Sequence, residues 1–400
     1  MEPNKLEEAR RLFYLGLESQ TQGRLAEAEN LYLRSLSLVP DRTSILTNLY
    51  VVLIQQEKYE AAIVYIDKVL ELSPEDAAAW FNKAVWLSGR QRFQEALSCC
   101  DRAIAIKPDY AEAHYNRGLV LGKLKRHVEA LASLDQALAI KPGYAAAFHY
   151  RGDVFNTLGR HEEARASYRS ALGSGGNADE LHYCLAALGA DATPAASPPR
   201  LVADLFDKYA EVFDQHLTSL QYRGPQMLFD AVSAAAPAEG WDIADLGCGT
   251  GLCGPLFRAV ARTLTGVDLS PNMIKKAHER KVYDRLIQGE VTEFLRTRAA
   301  TFDLVIAADV FIYIGDLGPV FDGTRSALRR GGRFAFSVET HEGAGFVLQP
   351  SRHFAHSLSY LRECAASHGF VETSVTRVTL RKENGQDIDG AIVVLLLRDS

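Results

Sequence analysis

Along the first 180 residues or so, small, bulky and polar positions return every 34 residues. Ala28, Ala62, Ala96, Ala130 and Ala164 share one phase. Gly118 and Gly152 share another, with Gly16 three periods before Gly118. Bulky residues take complementary phases, Trp80 and Phe148 early in a unit and Tyr32 and Tyr168 late in it. Pro40, Pro74, Pro108 and Pro142 keep the same step and close each unit, where proline cannot continue a helix. The pattern predicts pairs of antiparallel helices that approach closely at the small residues. Five units fit, at 9–42, 43–76, 77–110, 111–144 and 145–178. The second is degenerate, with Tyr50 where a small residue belongs, and the fifth lacks the proline. Residues 179–188 read as a short helix capping the array, whose last unit has no neighbour to cover its apolar face.

The rhythm then changes. Residues 189–200 hold three prolines and no apolar periodicity, as a semi-extended linker does. The division is therefore a helical array at 1–190, a linker at 191–200 and a second domain at 201–400. Apolar positions at Leu205, Tyr209, Val212, Phe213 and Leu217 predict a helix packed on the sheet of that domain. Apolar strands at 243–246, 263–267, 286–288, 302–307 and 333–338 alternate with helices at 252–261, 271–280, 291–296 and 317–328. That alternation predicts a parallel, doubly wound sheet. Asn384-Gly385 between two apolar runs predicts a hairpin of the last two strands.

Composition narrows the function. The chain is 47% hydrophobic and 24% charged, as ordinary globular proteins are. A net charge of −6 without a basic stripe argues against nucleic acid as a partner. No apolar run approaches the ~20 residues of a membrane span. The acidic, helical amino terminus does not read as a signal peptide. The six cysteines form no CxxC pair and no histidine cluster joins them, so no metal site is expected and reduced, cytoplasmic thiols are.

Candidate chemistry gathers in the second half. Asp245 ends the first strand and leads into Gly247, Gly249 and Gly251, a turn that lets backbone approach a ligand. Asp268 ends the second strand, placed to accept hydrogen bonds from ribose hydroxyls. The stretch 249–254 also satisfies GxGxxG, the dinucleotide fingerprint, so two nucleotide readings compete.

These patterns carry two resemblances. The 34-residue pattern resembles the tetratricopeptide (TPR) repeat. The second half resembles the class I S-adenosylmethionine (SAM) methyltransferases in four motifs in the family's order. These are Asp245 through Gly251, Gly266-Val-Asp-Leu-Ser-Pro-Asn-Met273, Phe302-Asp-Leu-Val-Ile-Ala-Ala-Asp-Val310, and Leu328-Arg-Arg-Gly-Gly-Arg-Phe334. With 205–217 and Gln221-Tyr-Arg-Gly-Pro225, the chain looks like a bacterial group of methyltransferases that carry TPR repeats. The resemblance implies an all-α solenoid followed by a Rossmann-like, seven-stranded domain with SAM as cofactor. It implies that Asp245 and the glycine turn lie by the methionine part, Asp268 holds the ribose, and Leu269 and Met273 flank the adenine. Glu290, with Val291 beside it, would reach the adenine amino group or else cap the next helix. Asp309 would face cofactor and substrate, or cap a helix, and Tyr209 would lie in a lid. Cys248 and Cys253 read as packing residues. If a general base is needed, the candidates are His216, Tyr313, His341 and His356, with His216 and His356 preferred. The loop 308–311 lacks the Asn-Pro-Pro-Tyr type associated with exocyclic amino groups of nucleic-acid bases, which leaves a protein side chain or a small molecule as acceptor. Asn48, Asn82 and Asn116, 34 apart, could hold a peptide partner along the concave face of the solenoid. The alternative is a TPR scaffold whose cofactor fold is vestigial.

Overall fold

The computed structural model describes residues 3–235, 240–383 and 386–398. The chain forms two compact units, Met1–Asn177 and Ala178–Ser400. In the first, ten described helices run in five pairs. They are α1 (Pro3–Thr21) with α2 (Leu25–Leu38), α3 (Thr43–Gln55) with α4 (Tyr59–Leu72), α5 (Ala77–Gly89) with α6 (Phe93–Ile106), α7 (Ala111–Lys123) with α8 (His127–Ile140), and α9 (Ala145–Thr157) with α10 (His161–Gly173).

The glycines mark the crossings within pairs. A Cβ at Gly16 would stand 2.6 Å from the Tyr32 ring, at Gly118 2.8 Å from Leu134, and at Gly152 2.4 Å from Tyr168. The bulky partner is always 16 residues on. Tyr50 is accommodated because Ile66, at that partner position, is smaller than tyrosine; both are buried. Each pair turns on one residue in left-handed conformation, namely Gly23, Glu57, Gln91, Lys125 and Gly159, with φ between 59° and 74°. Successive pairs are joined by Lys83 to Asp67 (2.7 Å), Arg117 to Asp101 (2.7 Å) and Arg151 to Asp135 (2.8 Å). The asparagine column is engaged locally. Asn48 and Asn82 donate to the carbonyls of Ser44 (2.8 Å) and Ala78 (2.9 Å) four residues back, and Asn116 is buried against Cys100.

The second unit begins earlier than the sequence division. Its first helix, α11 (Ala178–Ala187), is the one read as the array's cap. Tyr183, Ala186 and Ala187 on it pack on Leu348 and Phe354, and the Tyr183 hydroxyl donates to the Arg352 carbonyl at 2.6 Å. Nor is 191–200 a free linker. Ala196 bridges to Ile314, and the Ser197 N–H donates to the Tyr313 carbonyl at 2.9 Å. Proline keeps this segment extended, and an extended segment can pair with an edge.

The sheet comprises β1 (Trp241–Leu246), β2 (Ala261–Asp268), β3 (Arg285–Gln288), β4 (Phe302–Ala307), β5 (Leu328–Thr340), β6 (Phe346–Leu348), β7 (Phe354–His356), β8 (Phe370–Glu383) and β9 (Gln386–Leu397). β3-β2-β1-β4-β5 are parallel; β9 joins β5 and β8 joins β9, both antiparallel. These seven match the expected count. β7 and β6 add a short ribbon beside the end of β5, giving nine strands. The Asn384-Gly385 turn lies outside the described residues, but Glu383 pairs with Gln386 across it. Parallel strands are covered on both faces, hence the apolar run at 304–307 in β4.

The remaining helices are α12 (Pro199–Tyr209), α13 (Phe213–Ser219), α14 (Gly224–Ala235), α15 (Gly254–Phe257), α16 (Pro271–Glu279), α17 (Val291–Arg296), α18 (Gly318–Ala327) and α19 (Leu358–Ser367). α15 has four residues, not the ten expected at 252–261. The Val260 carbonyl already accepts from Gly240 N–H (2.9 Å) and Trp241 N–H (3.1 Å), so the chain is committed to the sheet. Among the described residues no helix is long and apolar enough to cross a membrane.

Candidate functional site

The carboxyl ends of β1, β2 and β4 open into one cavity of about 450 Å³. Two helices close it. Val202, Leu205, Phe206 and Tyr209 of α12 all line it, as do Phe213, His216, Leu217 and Leu220 of α13 and the turn after it. Both sets repeat the i, i+3, i+4, i+7 stripe of one helix face. Val212, expected on that stripe, does not line the cavity; His216 does. Polar contacts fasten these helices to the sheet side. Asp207 accepts from Ser270 Oγ and from Asn272 N–H (3.2 Å). Glu211 pairs with Lys276 at 2.8 Å, and Asp214 accepts from both Thr250 and Arg280.

The glycine turn is left-handed at Gly247 (φ 59°), Gly249 (φ 54°) and Gly251 (φ 87°). A Cβ at Gly247 would strike Val310 at 2.6 Å. At Gly249 it would meet nothing nearer than Phe213 at 3.8 Å and would project into the cavity, so glycine keeps that space open. Asp268 accepts from Gly249 N–H and Ser270 N–H, both at 2.9 Å, leaving lone pairs for a ligand's hydroxyls. Burial raises its pKa, and the backbone N–H groups only partly offset this.

Asp245 is 1% exposed and takes a 2.6 Å hydrogen bond from the Tyr283 hydroxyl. Burial pushes its carboxyl up to about 7, with the tyrosine bond pulling the other way and Asp268 adding to the rise. Tyr283 belongs to no motif, so the sequence gives it no role. Its ring fits against Gly251, Gly254 and Gly266, where a Cβ would lie 2.9, 2.8 and 3.1 Å from it. The three glycines were the available signal.

Tyr209, His216, Asp245, Gly247, Gly249, Asp268, Leu269, Glu290, Val291 and Asp309 all line this cavity, and so does Tyr313. Gly251, Met273, His341 and His356 do not. Met273 is fully buried in α16. Glu290 both lines the cavity and caps α17, accepting from Glu293 N–H at 2.9 Å. His356 is 0% exposed, and its Nε2 is shared between the carbonyls of Ile314 and Gly315 at 3.0 Å each. Burial lowers its pKa to about 4, with the two carbonyls working against the drop. It is a neutral packing residue, not a base facing a substrate. His341 binds Gly343 and Gly345 within its own loop.

Asp309 caps no helix. It sits at φ 60°, its carboxylate 3.0 and 3.2 Å from Arg381 Nη1. Arg381, 3% exposed on β8, also donates to Glu383 (2.6 Å) and Glu339, while His353 Nδ1 lies 3.0 Å from Glu339. Burial raises the Asp309 pKa, opposed by Arg381. For Glu339, burial is outweighed by His353 and Arg381, and the pKa falls. The Leu220 carbonyl accepts from Lys382 N–H at 3.0 Å, which joins the turn after α13 to this end of β8.

A pyrophosphate is ordinarily held by the dipole and free N–H groups of a full helix, and α15 is a single turn. A methyltransferase-domain family model matches residues 244–336, and tetratricopeptide-repeat models match 75–143, 48–76 and 145–174. The chain is similar to Methyltransferase-like protein 27 of Homo sapiens, 35% identical over 105 residues, 25% of this chain and 43% of that protein. It is 27% identical to the malonyl-[acyl-carrier protein] O-methyltransferase of Erwinia pyrifoliae over 150 residues, 38% of this chain and 55% of that one. It thus spans about half the length of these relatives. Among solved structures, a crystal structure of MamA protein aligns with a TM-score of 0.39 and 25% identity, over 42% of this chain and 92% of that one. By its motifs, its sheet and the family models it matches, the chain joins tetratricopeptide repeats to a domain of the methyltransferase family.

Proposed function

We propose that the second unit is a class I, SAM-dependent methyltransferase and that the repeats bind a protein partner, either the methyl acceptor or a scaffold for it. The observation that carries the reading is the meeting of Asp245, the glycine turn and Asp268 in one cavity under an apolar helix stripe. The volume of about 450 Å³ falls among ligand sites of roughly 300–1,000 Å³. Asp268 would hold the ribose hydroxyls and Asp245 the cationic methionine end, while Leu269 and Val291 would border the adenine. The open space at Gly249 admits a ligand against main chain. When bound, the cofactor supplies a methyl group already activated on a cationic sulfur.

The chain's own residues position the acceptor and keep water out. The stripe from Val202 to Leu220 supplies the dry wall. His216 stands on that stripe with its ring 5.3 Å from Tyr209, so of the two preferred histidines it is the one available to an acceptor's proton. A thermal-shift experiment on the full chain tests the reading. S-adenosylhomocysteine raises the melting temperature, NAD does not, and Asp268→Ala removes the shift. A shift with NAD alone overturns it.

A further inference from the structure

The end of the cavity at β8 is built from aromatic rings and carboxylates. Phe206 and Tyr313 meet edge to face with centroids 5.5 Å apart, and Tyr222 stands with them in the lining. Asp309 and Glu383 line the same end. The one guanidinium present, Arg381, is spent. Nε serves Glu383, Nη1 serves Asp309, and Nη2 serves Glu339 beside His353. Each of its three nitrogens is thus already turned to a carboxylate of the chain. Three carboxylates face one guanidinium, with His353 beside Glu339, so formal negative charge stays in excess even with a proton on that imidazole. Buried carboxylates in excess favour a cation or an N–H donor beside them, and aromatic faces attract the same group.

We infer that the acceptor is an amine, seated with its nitrogen against Asp309 and Glu383 between Phe206, Tyr222 and Tyr313; one of these carboxylates takes its proton, the freed lone pair takes the methyl group, and the methyl–sulfur bond breaks to leave S-adenosylhomocysteine. This rests on the methyltransferase reading and narrows it to nitrogen acceptors. It sets the site apart from one for a carboxylate, which would have to compete with Asp309, Glu339 and Glu383 for Arg381.

The test uses the full chain saturated with S-adenosylhomocysteine and titrated calorimetrically with hexylamine, Nα-acetyl-lysine methylamide and hexanoate. At least one amine binds tenfold or more tightly than hexanoate, about 1.4 kcal/mol. The tighter of the two amines says whether the acceptor is a free small amine or a peptide side chain. Asp309→Asn and Glu383→Gln each weaken amine binding fivefold or more, and in Glu383→Gln S-adenosylhomocysteine affinity stays within twofold. Where Asp309→Asn disturbs folding through Arg381, the more exposed Glu383→Gln decides. Hexanoate binding as tightly as the amines, or none of the three binding at millimolar concentration, overturns the inference. Failure of S-adenosylhomocysteine to bind in the first step overturns the methyltransferase reading instead.

Discussion

Asp245 carries two demands at once. It is buried deeply enough to hold its proton to about pH 7, yet its proposed partner is a cation that needs the charged form. Because the folded-state pKa lies above the ordinary value, this group's contribution to folding is complete at low pH and lost as pH rises through about 7. Cofactor affinity runs the opposite way. It should increase between pH 6 and 8 by up to about tenfold per unit, the limit for one proton. Tyr283→Phe keeps the ring among its glycines but removes the hydrogen bond that lowers the carboxyl's pKa, so the midpoint moves up; Asp245→Asn flattens the profile. A flat profile in the parent protein would refute this role. The two histidines separate just as sharply. His356 is held neutral, so its contribution is complete above about pH 6.5 and lost as pH falls toward 4. His356→Ala should cost about 2–4 kcal/mol in denaturant unfolding while leaving cofactor affinity within twofold. His216→Ala should leave stability within about 0.5 kcal/mol and lower turnover of an acceptor. Sequence alone puts the two on the same footing, because it reports neither burial nor which way a ring points.

At the scale of elements, what was legible is what periodicity encodes. The 34-residue step gave the five helix pairs, and the apolar runs gave β4 to the residue and β1 and β2 to within two residues. Hidden were features set by backbone commitment. α15 stops because the Val260 carbonyl is claimed by the sheet, and three of the five left-handed turn residues are Glu57, Gln91 and Lys125, where no glycine announces the turn. Each such residue costs about 1–2 kcal/mol, tolerated because the packed pair around it fixes the turn. The cover over the site was half legible. Its apolar stripe was plain, but its fastening by Asp207, Glu211 and Asp214 joins residues about 65 or, for Thr250, 36 apart in sequence, beyond any periodicity argument. Arg280→Ala and Asp207→Ala should each speed cofactor release in stopped-flow, with melting temperature nearly unchanged. Unaltered release in both would mean the helices do not act as a cover.

At the scale of the molecule, the division of labour is set by where α11 and 191–198 are spent. Both read as belonging to the array or to nothing, because a capping helix and a docking helix share one amphipathic pattern. In the fold, Tyr183 and Ser197 bind into the second unit through Arg352 and Tyr313. A fragment of residues 178–400 should therefore bind S-adenosylhomocysteine as the full chain does. A fragment of 201–400 should unfold at lower denaturant, having lost that packing. Equal stability of the two fragments would restore the boundary at 200.

The most direct measurement is calorimetric titration of the full chain with S-adenosylmethionine, beside the Asp268→Ala variant. The account predicts one site per chain, bound in the parent and weakened at least a hundredfold in the variant, about 2.7 kcal/mol. Absence of binding in the parent, or undiminished binding in the variant, contradicts it.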